Sequence, residues 1–525
     1  MDSTEYIFKG LRRSVFDSEL LRQTLARQLD LPEIDQVTVE REALDARRKP
    51  DLDYIYNLRF TVSRTSERLQ TLLDTGEIAL FAPQPLPRLE PRLALPDRPV
   101  IVGFGPAGMF AGLFLAQLGY RPIIFERGQE VAKRTRAVHT LWEEGVLNPD
   151  SNLQFGEGGA GTFSDGKLAT GKAAPLDRLI LETFVEAGAP ETILFNHKPH
   201  IGTDHLRQVV SNLRERIVGL GGEVHFEQKL TGLQLRDGAV EAITVSGQRV
   251  PTRCVVLAIG HSARDTVAML AAAGIALRPK PFAIGVRIEH PAAFINETQY
   301  GRKGAQVMPA ADYKLTHHYQ GSGVYSFCMC PGGQVVCAAS EPESLVTNGM
   351  SRYARDAVWS NSAIVVAVDP ARFGFESPAA GGAFQQEIEQ RAYRMGGGGF
   401  IAPAQRAADF LTGTVSAVLP ETSYRPGVRP ADLADMLPAF VTAGIRSGLV
   451  RFDRIIPGFV KRGVLIGPET RTSSPVCIVR DENCRSVSAA GLYLLGEGAG
   501  YAGGIMTCAR DAVQWARLVM PRSSS

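Results

Sequence analysis

The segment "RPVIVGFGPAGMFAGLFLAQLGYRPIIFE", residues 98–126, reads as a strand, a glycine turn, a helix and a second strand. The apolar run "RPVIV" is typical of a buried parallel strand, and it leads into Gly103, Gly105 and Gly108 in the spacing GxGxxG. In such a unit the first glycine allows a tight turn, the second lets a phosphate approach the backbone, and the third lets the helix contact the sheet. Pro106, followed by Ala107, has the φ angle that the first helical position requires. The segment therefore predicts a pyrophosphate site at the N-terminus of a helix.

The second strand of this unit, "PIIFE", ends at Glu126, 18 residues after Gly108. A carboxylate at this position accepts hydrogen bonds from ribose hydroxyls. It also repels a 2′-phosphate, so we expect an adenosine with a free 2′-hydroxyl. Arg127, the next residue, is included in the predicted nucleotide site.

The GxGxxG spacing recurs in "NLQFGEGGAGTFSDGKL", residues 152–168, and in "GLYLLGEGAGYAGGIMTCARDAVQWARL", residues 491–518. The first stretch lacks a strand that ends in an acid, and the second lacks a later strand, so neither completes a nucleotide-binding unit. We expect the glycines of 152–168 to let bare backbone approach the same ligand, with Ser164, Asp165 and Lys167 nearby. A glycine-rich surface loop is the alternative.

The C-terminal stretch indicates which dinucleotide binds. Flavin adenine dinucleotide (FAD) is long enough to need a second contact of this kind, and Glu497, directly after Gly496, is suited to accept from its ribityl hydroxyls. The N–H groups of Gly504 and Ile505 open a helix, and a helix N-terminus stabilises the negative charge that reduced flavin carries at its N1–C2=O edge. A buried strand–helix pair with an incidental acid is the alternative.

The order of patterns along the chain predicts an α/β protein. We expect a small N-terminal α+β (ferredoxin-like) domain at residues 1–80, a proline-rich linker at 81–98, and the first part of a Rossmann-like FAD-binding domain at 99–279. An inserted, largely antiparallel α+β substrate domain follows at 280–415. Residues 416–525 are predicted to complete that domain and to return to the FAD-binding domain.

Composition argues against several classes of protein. The 525 residues carry a formal net charge of +2 without a basic block, which argues against a nucleic-acid surface. Seven cysteines without a CxxC pair predict neither a disulfide framework nor a zinc site. The N-terminus lacks the apolar core of a signal peptide, and no apolar run reaches the roughly 18 residues of a membrane span. We therefore expect a cytoplasmic protein without a metal centre.

Several long blocks of the sequence resemble one bacterial family. They are "SNLQFGEGGAGTFSDGKL", "VVLAIGHSARDT", "PKPFAIGVRIEHP", "VYSFCMCPGG", "VTNGMSRYARD", "ETRTSSPV" and "GEGAGYAGGI", together with "LDARRK" in the N-terminal module. They are similar to the FAD-dependent dehydrogenases, or NAD(P)/FAD-dependent oxidoreductases, that belong to the glutathione-reductase-like flavoproteins. The resemblance runs nearly end to end and implies FAD as the cofactor.

The resemblance adds residues to the predicted cofactor site. It implies that Arg134 contacts the pyrophosphate, that the backbone of Leu230 contacts adenine, and that the loop 158–164 and Gly260 approach the cofactor. The full predicted cofactor site is Gly103, Gly105, Pro106, Ala107, Gly108, Glu126, Arg127, Arg134, Gly158, Gly159, Ala160, Gly161, Thr162, Phe163, Ser164, Leu230, Ala258, Gly260, Gly496, Glu497, Gly504 and Ile505.

Two positions depart from the family pattern. Cys477 stands where the family block "ETRTSSPVRI" has an arginine, and "TCARDA" at 507–512 replaces "SAAVDG". If these positions line the pocket, we expect the charge preference for substrate to differ from that of relatives.

Three residues are candidates for catalysis. His261 follows the apolar strand "VVLAIG" and could act as an acid–base, because strand ends face the ligand crevice of such sheets. A helix N-cap at Ser262 is the alternative explanation. Glu469 and Arg471 lie in the extended segment "ETRTSSP", where the guanidinium could bind a substrate carboxylate. A structural ion pair is the alternative there.

Other candidates lie in the predicted second domain. Cys328 and Cys330 share one face of a predicted strand, so they are either two small buried side chains or a redox relay to the flavin, although a disulfide between residues two apart is strained. Arg287, on a second predicted strand, and a histidine–tyrosine cluster at 313–319 could line the substrate cavity or an interface.

Together these patterns predict an FAD-dependent oxidoreductase that transfers a hydride between flavin N5 and a small organic substrate. No second nucleotide unit is present for a nicotinamide, so NAD(P)H would bind transiently or a protein would donate electrons. A flavin monooxygenase that uses NAD(P)H and oxygen is one alternative. A module that senses redox state through FAD, or recruits a protein or RNA partner without turnover, is the other.

Overall fold

The computed structural model describes residues 4–13, 17–47, 52–82, 85–86, 91–168 and 175–521. The predicted linker therefore lies partly outside the described residues, at 83–84 and 87–90. No helix among the described residues is long and apolar enough to cross a membrane.

The N-terminal residues form a four-stranded antiparallel sheet with two helices. Its elements are β1 (Glu5–Arg13), α1 (Ser18–Gln28), β2 (Gln36–Asp45), β3 (Asp53–Thr61), α2 (Glu67–Asp74) and β4 (Ile78–Leu80). The strand order is β2-β3-β1-β4, which is a split βαβ arrangement. Asp17 caps α1 by accepting from the N–H of Leu20 at 3.0 Å.

The middle of the chain supplies alternating strands and helices. The elements are β5 (Val100–Val102), α3 (Pro106–Gln117), β6 (Ile123–Phe125), α4 (Val131–Glu144), α5 (Pro175–Glu186), α6 (Gly202–Gly219), β7 (Glu223–His225), β8 (Leu230–Arg236), β9 (Ala239–Val245), β10 (Gln248–Pro251), β11 (Val255–Leu257), α7 (Arg264–Ala272) and β12 (Leu277–Pro279). Short 3₁₀ turns lie at Ala160–Phe163 and Glu191–Leu194.

The remaining elements build a second sheet and return to the first. They are β13 (Phe282–Pro291), α8 (Ala292–Gly304), β14 (Thr316–Tyr319), β15 (Ser322–Cys330), β16 (Gln334–Cys337), β17 (Thr347–Met350), β18 (Trp359–Val368), α9 (Ala380–Gly396), β19 (Ala402–Arg406), α10 (Ala407–Thr412), β20 (Val428–Pro430), α11 (Ala439–Ile455), α12 (Phe459–Arg462), β21 (Val464–Glu469), β22 (Val476–Ile478), β23 (Leu492–Leu494) and α13 (Ile505–Ala516).

A five-stranded parallel sheet of order β23-β11-β5-β6-β7 forms the frame for the site. Successive side chains of its central strand, β5, point to opposite faces of the sheet, and both faces are buried. Ile101 packs into the core under helices α3, α6 and α13, whereas Val100 and Val102 pack against β8 and β9 on the other face. Because β23 pairs with β11, the C-terminal segment completes a sheet that began nearly 400 residues earlier.

The second sheet has seven strands in the order β14-β15-β18-β13-β21-β19-β20. All neighbouring pairs are antiparallel except β19 and β20. Its largest apolar core joins residues of β13, β18 and α11 to residues of α4, such as Trp142. The indole N–H of Trp142 donates to the carbonyl of Cys337 at 2.9 Å, so α4 contacts both halves of the protein.

The glycine stretch 152–168 packs inside the protein, and Arg134 of α4 organises it. The buried Arg134 guanidinium donates to the carbonyls of Asn152 (2.9 Å), Leu153 (2.9 Å), Gly156 (3.3 Å) and Glu157 (2.6 Å). Residues 151–158 are buried, so the surface-loop alternative does not describe this stretch. The structure also differs from the prediction that Arg134 contacts a pyrophosphate, because its donors are used by loop carbonyls.

Replacing Arg134 by methionine should therefore destabilise the fold. Arg134→Met leaves four buried carbonyls without their donor, and we expect a loss of about 3–5 kcal/mol in the free energy of unfolding. Arg136→Met, an exposed position on the same helix, is the matched control and should change stability by less than about 0.5 kcal/mol. Urea denaturation followed by circular dichroism compares the two, and equal midpoints would rule out this role of Arg134.

Candidate active site

A cavity of about 450 Å³ lies at the carboxyl edge of the parallel sheet. The loops that follow β5, β6, β11 and β23 all line it. Open α/β sheets bind ligands at this edge, where strand order reverses. Residues of the seven-stranded sheet line the cavity from the other side.

Most of the predicted cofactor residues line the cavity. They are Gly103, Gly105, Pro106, Ala107, Glu126, Arg127, Gly159, Ala160, Gly161, Ser164, Leu230, Ala258, Gly260, Glu497, Gly504 and Ile505. The others lie behind this lining. They are Gly108, Arg134, Gly158, Thr162, Phe163 and Gly496. The second group supports the lining loops and does not face the cavity.

The first glycine turn combines two packed positions with one open position. A side chain at Gly103, where φ is +99°, would collide with the carbonyl of Ala258, and one at Gly108 would collide with the carbonyl of Gly103. Gly105 differs, because the nearest atom to a Cβ built there is the Gly159 Cα at 3.6 Å. The space beside Gly105, at the start of α3, is therefore left for a ligand.

Glu126 connects three loops while it lines the cavity. One carboxylate oxygen accepts from the N–H of Phe104 at 2.7 Å, and the other accepts from Gly128 and Gly156, each at 2.9 Å. The side chain is buried. Three of the roughly four acceptor sites of this carboxylate are used, and the oxygen that accepts from Phe104 keeps one for a ribose hydroxyl.

The glycine loop contacts both ends of the nucleotide-binding frame. A Cβ at Gly159 would approach the Gly105 Cα to 3.0 Å, and one at Gly161 would approach Ile505 of α13 to 3.0 Å. This loop is therefore the bridge between the first glycine turn and the C-terminal helix. It belongs to one cavity and is not a second nucleotide unit.

The C-terminal loop adds an acid and a second helix N-terminus. Glu497 lines the cavity after β23, and Gly504 is the N-cap residue of α13, without a side chain that caps the helix. A Cβ at Gly504 would meet no atom within 4 Å. Free N–H groups in the first turn of a helix attract negative charge.

The two acids are far apart along the sheet edge. Glu126 follows β6 and Glu497 follows β23, and the strand order places three strand intervals between them. At about 4.8 Å per interval this is about 14 Å. A ligand that contacts both carboxylates must be long, with a phosphate-sized group near Gly105 between them. A dinucleotide such as FAD fits this arrangement.

Glu469, Lys167, Asn348 and Cys328 line the part of the cavity that faces the second sheet. Burial raises the pKa of Glu469 to about 7, although the guanidinium of Arg287, 3.3 Å away, opposes the shift. A carboxyl group with this pKa can give or take a proton near neutral pH.

Lys167 is one of the cations in the lining. Its ammonium donates to the carbonyl of Met329 and lies 3.3 Å from Asp165. Burial by itself would lower the pKa of Lys167, but the neighbouring acidic groups Cys330, Asp165 and Cys328 outweigh burial and raise it. Lys167 therefore stays charged and fixes the end of β15 against the glycine loop.

His261 and Arg471 line the cavity but are held by protein partners. The Nε2 atom of His261 donates to the carbonyl of Arg471 at 2.8 Å. The Arg471 guanidinium pairs with Glu389 at 2.9 Å and also donates to Ser340. This favours the ion-pair alternative for Arg471. The capping alternative for His261 is wrong, because α7 has Ala263 at its N-cap and no capping side chain.

Several residues in the lining were not assigned to the site from the sequence. They are Gln154, Phe155, Lys229, Phe327, Asn348, Thr472, Ser473 and Cys508. Phe327 comes from β15 of the second sheet and Asn348 from β17 of the separate β16–β17 pair, so it is the tertiary fold that brings both residues to the cavity. Of the two departures from the family pattern, Cys508 in the 507–512 segment lines the cavity, whereas Cys477 does not. The 313–319 cluster is also absent from the lining.

Comparison with known proteins identifies the family. Residues 281–472 match the family model described as FAD-dependent protein, C-terminal domain-like, and this range spans the seven-stranded sheet. An uncharacterised protein of Clostridium beijerinckii is 42% identical over 515 residues, which cover 96% of each chain.

The chain belongs to this family of FAD-dependent proteins. FAD is its cofactor, and the cavity at the sheet edge fits that cofactor. The flavoprotein is also similar to two solved structures at low identity. One is CtdE in complex with FAD, at 12% identity and a TM-score of 0.30, with 80% of this chain and 82% of that chain covered. The other is glycine oxidase from Geobacillus kaustophilus, at 11% identity and 0.31, with 80% and 92% covered.

The open position at Gly105 provides a test of cofactor binding. Gly105→Val fills the space beside the start of α3, so we expect FAD affinity to fall at least tenfold while the unfolding midpoint of the FAD-free protein changes little. Gly219→Val, at an open position at the end of α6, should keep full FAD content. Flavin absorbance per protein and fluorescence titration with FAD measure both variants. Unchanged affinity in Gly105→Val would contradict the placement of the pyrophosphate.

Proposed function

We propose that this flavoprotein is an oxidoreductase that moves a hydride between flavin N5 and a small organic substrate, with Glu469 handling the accompanying proton. The observation that carries the proposal is the buried carboxyl group of Glu469 in the lining of the FAD cavity, where burial raises its pKa to about 7. FAD supplies the two-electron chemistry when it is bound. The protein supplies position, a proton site and exclusion of water.

Glu469 is suited to proton transfer because of its surroundings. It is buried at the end of β21, and Arg287 of the neighbouring strand β13 holds its carboxylate. Arg287 is itself fully buried, so this pair cannot swing into solvent. The side chain therefore presents its proton at a fixed place in the cavity lining.

The other residues of this region orient the substrate. The Asn348 side chain accepts from Arg287 at 3.4 Å and lines the cavity beside Glu469. Lys167 adds a fixed positive charge. A polar substrate with a hydroxyl or amino group beside its hydride-bearing carbon would contact the Glu469 carboxyl group, the Asn348 amide and the Lys167 ammonium group in this part of the cavity.

The predicted pKa can be measured without a known substrate. Ionisation of Glu469 changes the field at the bound flavin, so the flavin absorbance spectrum of the wild type should shift with one inflection near pH 7. Glu469→Gln should abolish this inflection. Glu289→Gln is the matched control, since burial also raises the pKa of Glu289 to about 7 but the residue does not line the cavity. An inflection that persists in Glu469→Gln would assign it to another group.

The reaction itself is tested by anaerobic stopped-flow absorbance. The FAD-loaded protein is mixed with NADH, NADPH and a panel of small 2-hydroxy acids and amino acids, and bleaching of the flavin band is followed. We expect one class to bleach the wild type, and Glu469→Gln to slow that step by about 10²–10⁴-fold if the proton moves in it. Equal rates in wild type and Glu469→Gln would contradict the proposed role. Oxygen added after bleaching distinguishes hydroxylation of a substrate from simple reoxidation.

A further inference from the structure

Two cysteines lie where strand β15 ends against the cavity. Cys328 lines the cavity, whereas Cys330 is fully buried behind it. The pairing of β15 with β18 shifts register between Phe327 and Cys330, which marks an irregularity in the strand. Cys328 has φ +43°, in the left-handed region that a non-glycine residue rarely adopts.

This irregularity brings the two thiols together. In a regular strand, side chains two residues apart are separated by about 6.6 Å, whereas a disulfide needs Cβ atoms about 3.8 Å apart. The left-handed conformation of Cys328 interrupts this regular strand geometry. The Sγ atom of Cys330 lies 3.4 Å from the carbonyl oxygen of Cys328. The two cysteine side chains are close enough for each to shift the pKa of the other.

Two cations hold the turn in this conformation. Arg287 Nη2 donates to the carbonyl of Cys328 at 2.7 Å, and Lys167 Nζ donates to the carbonyl of Met329. A strained backbone of this kind persists when its surroundings fix it, and such residues cluster at functional sites. Both cations come from other segments of the chain, so the tertiary structure enforces the turn.

The same surroundings make the two sulfurs chemically different. The hydrogen bond from Cys330 outweighs burial and lowers the pKa of Cys328, with help from the charges of Lys167 and Arg287. That hydrogen bond and burial raise the pKa of Cys330. Cys254, in the core of the parallel sheet, has no cation to oppose burial, and burial together with the charge of Asp97 raises its pKa to about 12.

Polar groups also surround the buried sulfur. A Cβ built on Gly349 would lie within 2.8 Å of Cys330 Sγ, Asn361 Oδ1 and Arg287 Nη2, so these three atoms share one small space. The Asn361 amide and Arg287 Nε have no hydrogen-bond partner among the described residues. Cys330 is therefore in a polar setting and not in the apolar one that two inert core cysteines would have.

We propose that Cys328 and Cys330 are a redox-active dithiol that exchanges two electrons with the FAD bound in the same cavity. The step forms one bond, between the two Sγ atoms. The Cys328 thiolate and the Cys330 thiol lose two electrons and one proton, and both electrons and the proton pass to oxidised FAD, which becomes the reduced anion. Charge and atoms balance, because one negative charge is present before and after. The inference rests on FAD binding in the cavity but not on the proton role of Glu469.

Electron counting tests the proposal in the FAD-loaded full-length protein. The protein is oxidised with ferricyanide, desalted and titrated anaerobically with dithionite. We expect about four electrons per bound FAD in the wild type and about two in Cys328→Ser and in Cys330→Ser. Cys254→Ala removes a cysteine far from the cavity and should still take up four. Two electrons in the wild type would overturn the proposal.

A second experiment detects the disulfide directly in the wild type, so it does not depend on whether the variants fold. The ferricyanide-oxidised protein is denatured, treated with iodoacetamide and digested, and the peptide that contains Cys328 and Cys330 is weighed. This peptide also contains Cys337, which is a free cysteine. A single label, at Cys337, with a mass two units below that of the singly labelled dithiol peptide supports the inference, and three labels overturn it. The flavin-to-protein ratio of each sample reports FAD binding separately. Failure to react with hydride donors would not change the electron count.

Discussion

The buried carboxylate of Glu126 is the interaction on which the cofactor cavity depends. It accepts from the N–H groups of Phe104, Gly128 and Gly156, so it fixes the first glycine turn, its own loop and the second glycine loop to one another. The sequence predicted only a ribose contact for Glu126, but the side chain also holds together the loops that line the cavity. Arg134 extends this frame by holding the carbonyls that precede and follow Gly156.

The part of the cavity that contains Glu469 lies where the second sheet packs against the parallel sheet. Glu389 of α9 is fully buried between Arg264 of α7 and Arg471, and these charge-assisted hydrogen bonds tie the second sheet to the first. The guanidinium groups lower the pKa of Glu389 to about 2 despite its burial, so the cluster stays ionised at neutral pH. As a result, Glu469 reaches a cavity whose cofactor-binding turns belong to another sheet.

The sequence predicted the parts of the site that obey local rules. The 98–126 unit and the C-terminal acid and helix are recognisable because turn geometry and helix ends demand particular residues at fixed spacing. The role of Arg134 could not be predicted, since its acceptors are backbone carbonyls 18 to 23 residues away that any residue could supply. Likewise the kink at Cys328 depends on Arg287 and Lys167, which only the tertiary fold brings to that strand.

We propose that FAD lies along the sheet edge, with its adenosine at Glu126 and its flavin between the start of α13 and Glu469. The crystal structure of the FAD-loaded protein tests this most directly. We expect ribose hydroxyls within hydrogen-bonding distance of Glu126. The flavin ring should lie beside Ile505, with Glu469 and Cys328 on the opposite side of the cavity. A flavin ring at the Glu126 end, or one separated from Glu469 by intervening protein, would contradict the account.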